Sequence, residues 1–262
     1  SSYSFESGAT LVLERLDNPP GPDLFFSEYI EGSSYNKALE IYNGKDVAVN
    51  LAEYSIKGTH NGDADWEYAG FNFPDIELAA GDVYVICDVG AGPEITAIAD
   101  TLLVYDPNKT MGFNGDDARA LFWGEIMLDI IGFTDGDPGN GWDVAGVTDA
   151  TKDHTLIRKA EVTMGNVDWA ASAGTDEATS EWVVLPQNTF GFLGAHPHTD
   201  FVAPEIAGVV AVSGTALQVR FTEEVDPVAA AAVANYSIDG GIGNPASVEM
   251  VKNNIAVLTI AA

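Results

Sequence analysis

The run Ala80-Gly81-Asp82-Val83-Tyr84-Val85-Ile86-Cys87 decides the fold class. Five apolar, β-favouring residues stand directly behind a Gly-Asp turn signal. That is too short for an ordinary helix and fits a buried strand. Leu39-Glu40-Ile41-Tyr42, Thr101 to Tyr105, Ala120-Leu121-Phe122-Trp123 and Ile126 to Phe133 repeat the pattern. Turn formers bound these runs: Asn43-Gly44, Asn61-Gly62-Asp63, Asn114-Gly115-Asp116 and Asp135 to Gly141. Short strands with turn chemistry at frequent intervals predict an all-β sandwich. Helical periodicity is confined to Pro93–Ala99 and Pro227–Asn235, about two turns each.

The texture changes after Gly194-Ala195-His196-Pro197-His198. Thr199 to Pro204 reads as a linker, and Val209 to Val212, Leu217 to Phe221, Tyr236-Ser237-Ile238 and Ile255 to Ile260 begin a second strand series. The organisation expected is a lead segment 1–23, a sandwich over 24–198, a linker 199–204 and a smaller sandwich over 205–262. The last is short of the ~100 residues of a full sandwich of this kind. It is expected to be incomplete, within a longer multidomain chain.

Forty acidic residues against eleven basic ones leave a net charge of −29. Such a surface repels phosphate backbones and anionic lipid, which disfavours nucleic-acid binding, and it attracts cations. Most of the excess lies upstream, because 200–262 carries seven acids and two bases. No apolar run approaches the ~20 residues that cross a bilayer. Ser1 to Thr10 lacks the basic start and apolar stretch of a signal peptide, so export requires that a signal was already removed. The lone cysteine, Cys87, falls in the opening strand, reads as a small buried hydrophobe and admits no intramolecular disulfide.

Several stretches in order resemble the lamin tail domain in its bacterial secreted form, over about residues 24–196. They are Leu24-Phe25-Phe26-Ser27-Glu28-Tyr29-Ile30-Glu31-Gly32, Asn36-Lys37-Ala38-Leu39-Glu40-Ile41-Tyr42-Asn43, Leu78 to Val85, Phe113 to Ala118, Leu128 to Phe133, Thr155-Leu156-Ile157-Arg158-Lys159 and Ser180-Glu181-Trp182. The resemblance implies an immunoglobulin-like β-sandwich without catalytic machinery, an accessory to secreted nucleases, phosphatases or surface proteins. Glu28, Lys37 and Glu40 are expected to pair across neighbouring strands and fix register. Val219 to Asp226 with Asn235-Tyr236-Ser237-Ile238 resembles part of a bacterial immunoglobulin-like repeat, which implies a spacer.

Catalytic signatures are missing from the sequence: no Gly-x-Ser-x-Gly, no His-Glu-x-x-His, no phosphate loop. Calcium is the best-motivated ligand, since it takes six to eight oxygens. Asp135, Asp137 and Asn140 supply such oxygens on one loop, and Asn61, Asp63 and Asp65 on another; Asn114, Asp116 and Asp117 form a third group. Asx-Gly sequences are also ordinary turn formers. His196-Pro197-His198 reads as a domain end rather than a zinc site. Trp66 and Trp142 sit in polar, Gly-rich loops and are the expected exposed rings for stacking on sugars. The expectation is a non-catalytic secreted or cell-surface binding or tethering module, its partner a protein or polysaccharide. The alternatives are a carbohydrate-binding module or an accessory region of a hydrolase.

Overall fold

Strand β1 (Leu24–Glu31) shows how the sequence builds the molecule. Its side chains alternate between two buried faces: Leu24, Phe26 and Tyr29 enter one core, Ile30 another. A bulge at Ser27 shifts the alternation by one residue. A strand buried on both faces belongs at the centre of a sheet, and there it lies. The computed structural model describes residues 24–66, 70–106, 110–201 and 204–260. The lead segment 1–23 lies outside the described residues, and so do parts of the linker.

The other strands of the first unit are β2 (Lys37–Asn43), β3 (Val49–Asn50), β4 (Tyr54–Gly58), β5 (Phe71–Asn72), β6 (Glu77–Leu78), β7 (Val83–Asp88), β8 (Thr101–Leu103), β9 (Arg119–Trp123), β10 (Ile126–Ile131), β11 (His154–Arg158) and β12 (Trp182–Pro186). One sheet runs β12-β11-β1-β2-β7-β8 and a second runs β10-β9-β4-β5. β3 and β6 form a small ribbon. The main core lies between the two large sheets, with Phe26, Leu39 and Ile86 from one and Ile56, Leu121 and Ile130 from the other. Strands take 37% of the residues and helices 8%, so the chain is mostly β, and the two large sheets of the first unit share one core as in an all-β sandwich.

Two short helices interrupt the strands. α1 (Pro93–Thr96), with Pro93 in its first turn, carries the chain from β7 across to its parallel partner β8. α2 (Trp169–Ala173) starts where the Asp168 carboxylate caps the Ala171 amide, and it buries Trp169 beside Trp182.

Contact clustering divides the chain between Thr199 and Asp200. The second unit is one sheet, β13-β14-β16-β15, from β13 (Ile206–Ser213), β14 (Ala216–Phe221), β15 (Ser247–Lys252) and β16 (Ile255–Thr259), with one helical turn, α3 (Pro227–Ala230). Its core is small, centred on Val219, Ala256 and Leu258.

Three expectations need correction. Tyr236-Ser237-Ile238 is not a strand: a 3-10 turn covers Val233–Asn235, and Ile238 makes only an isolated bridge to Gly243. Lys37 pairs with Glu31, not with Glu28 or Glu40, because Glu31 is its register partner and shares its face. Glu28 and Glu40 instead stand opposite each other. Trp142 is only 8% exposed and belongs to the main core, since the Thr151 hydroxyl ties its backbone amide inward.

Candidate binding site at one end of the sandwich

Arg119 opens β9 and is completely buried. A buried guanidinium needs partners for its donors, and backbone carbonyls supply them. Nε donates to Thr110 O (2.8 Å), while Nη1 donates to Ala118 O (2.8 Å) and Thr59 O (3.3 Å). The cation also faces the Phe113 ring, 5.3 Å from its centroid. One side chain therefore fastens the bases of two loops, 59–65 and 110–118. Gly58 leaves the space that the guanidinium fills, as a Cβ there would stand 2.8 Å from Nη1.

A third loop, 133–153, joins them. Gly136 N donates to Gly62 O (3.1 Å), and any Cβ on Gly62 would collide with the Gly136 carbonyl. Thr151 Oγ1 donates to Gly115 O (2.6 Å), and Tyr29 Oη, from the sheet below, donates to Thr151 O (2.8 Å). The Asn61 backbone N–H donates to Asp117 Oδ1 (3.0 Å). Three loops distant in sequence thus form one backbone-linked end of the first unit.

The predicted oxygen donors fall at this end without forming one cage. Asp137 Oδ1 accepts from Gly139 N (2.6 Å), an Asx turn, and Asn140 Oδ1 accepts from Lys152 Nζ (3.1 Å). Asp63, Asp65 and Asp135 are exposed. Among the carboxylates of the three candidate groups the least exposed are Asp116 and Asp117, which Asn114 bridges when its amide nitrogen faces them. Burial first, then the charges of Asp117 and Asp137, raises the Asp116 carboxyl above its ordinary range. His60, Asn61, Tyr105, Gly112, Asn114 and Asp117 line a depression of about 130 Å³. Among the described residues, no three His, Cys, Asp or Glu side chains converge as a metal site would require.

The indoles are distributed differently from the sequence expectation. Trp66 is half-buried, edge-on to Phe122 with centroids 5.5 Å apart. Trp123, read as a core strand residue, is 39% exposed beside Ile126. Its indole N–H donates to Glu53 Oε2 (2.8 Å), which fixes the ring at the rim of a groove of about 440 Å³ lined also by Gly124 and Glu125. The signal available was position: Trp123 is the last residue before the Gly124-Glu125 hairpin turn, where a sheet runs out of covering layer.

Two histidines are held by backbone carbonyls. His198 Nε2 lies 2.8 Å from Phe192 O and 2.6 Å from Ala195 O, and His154 Nδ1 lies 2.7 Å from Lys152 O. Searches of protein-family models, curated proteins and solved structures find no match to this chain.

Proposed function

We propose that the chain is a non-catalytic extracellular binding or tethering module that acts through the loop end of its first unit. The observation that carries this reading is the bracing of loops 59–65, 110–118 and 133–153 by Arg119, Thr151 and the Gly62–Gly136 backbone bond. Pre-ordered loops bind without paying again for their own ordering. The resemblance to lamin tail domains and immunoglobulin-like spacers supports it, as does an acidic surface suited to a saline exterior. Calcium is the cation proposed for this end, held by carboxylates of neighbouring loops together with backbone carbonyls and water.

The test is chemical-shift mapping of the full chain against calcium and against a panel of polysaccharides. Shifts concentrated in the three loops support the reading. Shifts confined elsewhere, or cleavage of polysaccharide or of DNA supplied with divalent metal, would overturn it.

Trp123 favours a second reading, a carbohydrate-binding module. A fixed, part-exposed indole with Glu53 and Glu125 beside it offers a stacking face and acceptors for sugar hydroxyls. Binding that quenches indole fluorescence and disappears in Trp123→Ala would support it; unchanged binding in that variant would remove it.

A further inference from the structure

The outer face of the six-stranded sheet carries an acidic pair that the loop end does not use. Glu28 and Glu40 are direct partners on β1 and β2, and each is 1% exposed. Like charges opposite one another on paired strands are destabilising, the more so out of water. Ser27 Oγ, at the bulge, donates to Glu40 Oε1 (2.7 Å). Neither carboxyl oxygen of Glu28 has a hydrogen-bond partner.

The cover over this pair is the chain that follows β12. Leu193 packs with Ile30, Ala38, Val85, Cys87 and Ile95 in a second core. Gly194 N donates to Glu40 Oε2 (2.6 Å). His196 lies edge-on to Phe25 and Tyr42, with centroids 5.8 Å and 4.8 Å away, and neither ring nitrogen has a partner. Upstream, the segment is anchored where Thr155 Oγ1 donates to Thr189 O (3.0 Å), Ser33 N donates to Asn188 Oδ1 (2.9 Å) and Gln187 Nε2 donates to Asp153 Oδ1.

We propose that residues 187–198 form a strap that closes over the neutral Glu28–Glu40 pair and lifts when the pair becomes charged.

The groups around the pair point the same way. Burial outweighs the hydrogen bonds from Ser27, Gly194 and Ala195 and raises the Glu40 carboxyl to about 7; Asp100, whose Oδ2 accepts from Val85 N, adds to the rise. Burial, then Glu40, raises Glu28 well above the usual carboxylate range. Cys87, on β7 in the same layer, is pushed up to about 11 by burial and then Asp88, so it stays neutral. His196 is lowered to about 4 by burial, then by His198 and Arg158.

The signs follow from linkage. Glu40 contributes stability that is complete below about 4.5 and is lost as pH rises through about 7. Glu28, raised likewise, adds to that loss as pH rises. His196 acts oppositely, contributing above about 6.5 and losing its contribution as pH falls through about 4. Between about 4.5 and 6.5 the His196 gain offsets the Glu40 loss, and the Glu28 loss, which runs with that of Glu40, loosens the strap toward alkaline pH. Because the strap precedes the second unit, its release adds about a dozen residues of free tether.

Hydrogen exchange on the full chain from pH 6 to pH 9, corrected for the intrinsic rate of each amide, tests this. The open population at Leu193 and Gly194 is expected to rise by about tenfold or more, with the β1–β2 ladder unaffected. The Glu28→Gln/Glu40→Gln double variant is expected to lose the rise. Equal opening at both pH values, an equal rise in the ladder, or a rise that persists in the variant would overturn the proposal. Should the variant not fold, a carboxyl-carbon NMR titration of the unaltered chain decides: both glutamates protonated at pH 6 supports the strap, and both ionised overturns it.

Discussion

Arg158 and Asp129 lie at zero exposure, which is tolerable only because each polar atom described has a partner. Arg158 donates to Phe26 O (3.1 Å), Ser172 Oγ (2.9 Å), Glu181 Oε2 (2.6 Å) and Asp129, and stacks 3.9 Å from the Trp182 ring centroid. Asp129 also accepts from the amides of Phe26, Ile130 and Asn166. The pair bolts β10 of one sheet to β1 and β11 of the other. Asp129→Ala removes the fully buried counter-charge of Arg158, leaving only the more exposed Glu181, and is expected to cost about 3–5 kcal/mol in urea unfolding; a loss below about 1 kcal/mol would contradict this assignment. Both residues stand in quoted motifs, but sequence distance does not name a partner 29 residues away. Trp142 was misread for a related reason. Its Gly-rich, polar neighbours describe a loop, and nothing local reveals the Thr151 hydroxyl nine residues on that accepts from its backbone amide, or the core that takes its ring. Trp142→Ala is expected to cost about 3–5 kcal/mol, as core truncations do. Trp123→Ala is expected to stay within about 0.5 kcal/mol. Thermal melts of the two variants check the ordering, and equal losses would contradict it.

Among the elements, the strands legible in advance were those with a long apolar or alternating run, such as β7, β9 and β14. β11 and β12 were visible only as pieces of a family resemblance: His154-Thr155-Leu156-Ile157-Arg158 has just two adjacent apolar residues, and Trp182-Val183-Val184-Leu185-Pro186 is a short run that ends on a proline. α2 was missed altogether. Five residues give no helical period, although Asp168 three residues before Ala171 was a readable cap. The loops were recognised as turns, but their convergence depends on sheet order and on Arg119, neither of which composition reveals. Arg119→Met removes the donors that fasten Thr59, Thr110 and Ala118. Faster amide exchange across loops 59–65 and 110–118 is the expected result, with β1 and β2 unchanged; unaltered loop exchange would show that the bracing lies elsewhere. Calcium is expected to raise the melting temperature and chelator to reverse the rise, since a ligand of the folded state alone stabilises it. No response would remove the cation from the account and leave the bracing intact.

For the whole molecule, a net charge of −29 on 262 residues makes self-repulsion a general term in stability. Among the described residues the few ion pairs include the buried Lys37–Glu31 and Arg158–Asp129, which salt screens little, so added salt acts mainly on the exposed excess. The melting temperature is expected to rise by several degrees between about 0.01 M and about 1 M sodium chloride as the Debye length shrinks. A fall would mean that attractive pairs, not repulsion, dominate the surface. The fold class was legible because turn chemistry and strand length are local properties, whereas the working end of the molecule is assembled from residues more than fifty positions apart. Backbone ¹⁵N relaxation of the full chain measures that assembly most directly. Order parameters near about 0.85 in loops 59–65, 110–118 and 133–153, matching the sheets, are predicted; values below about 0.6 there would contradict the claim of a rigid, pre-ordered binding surface.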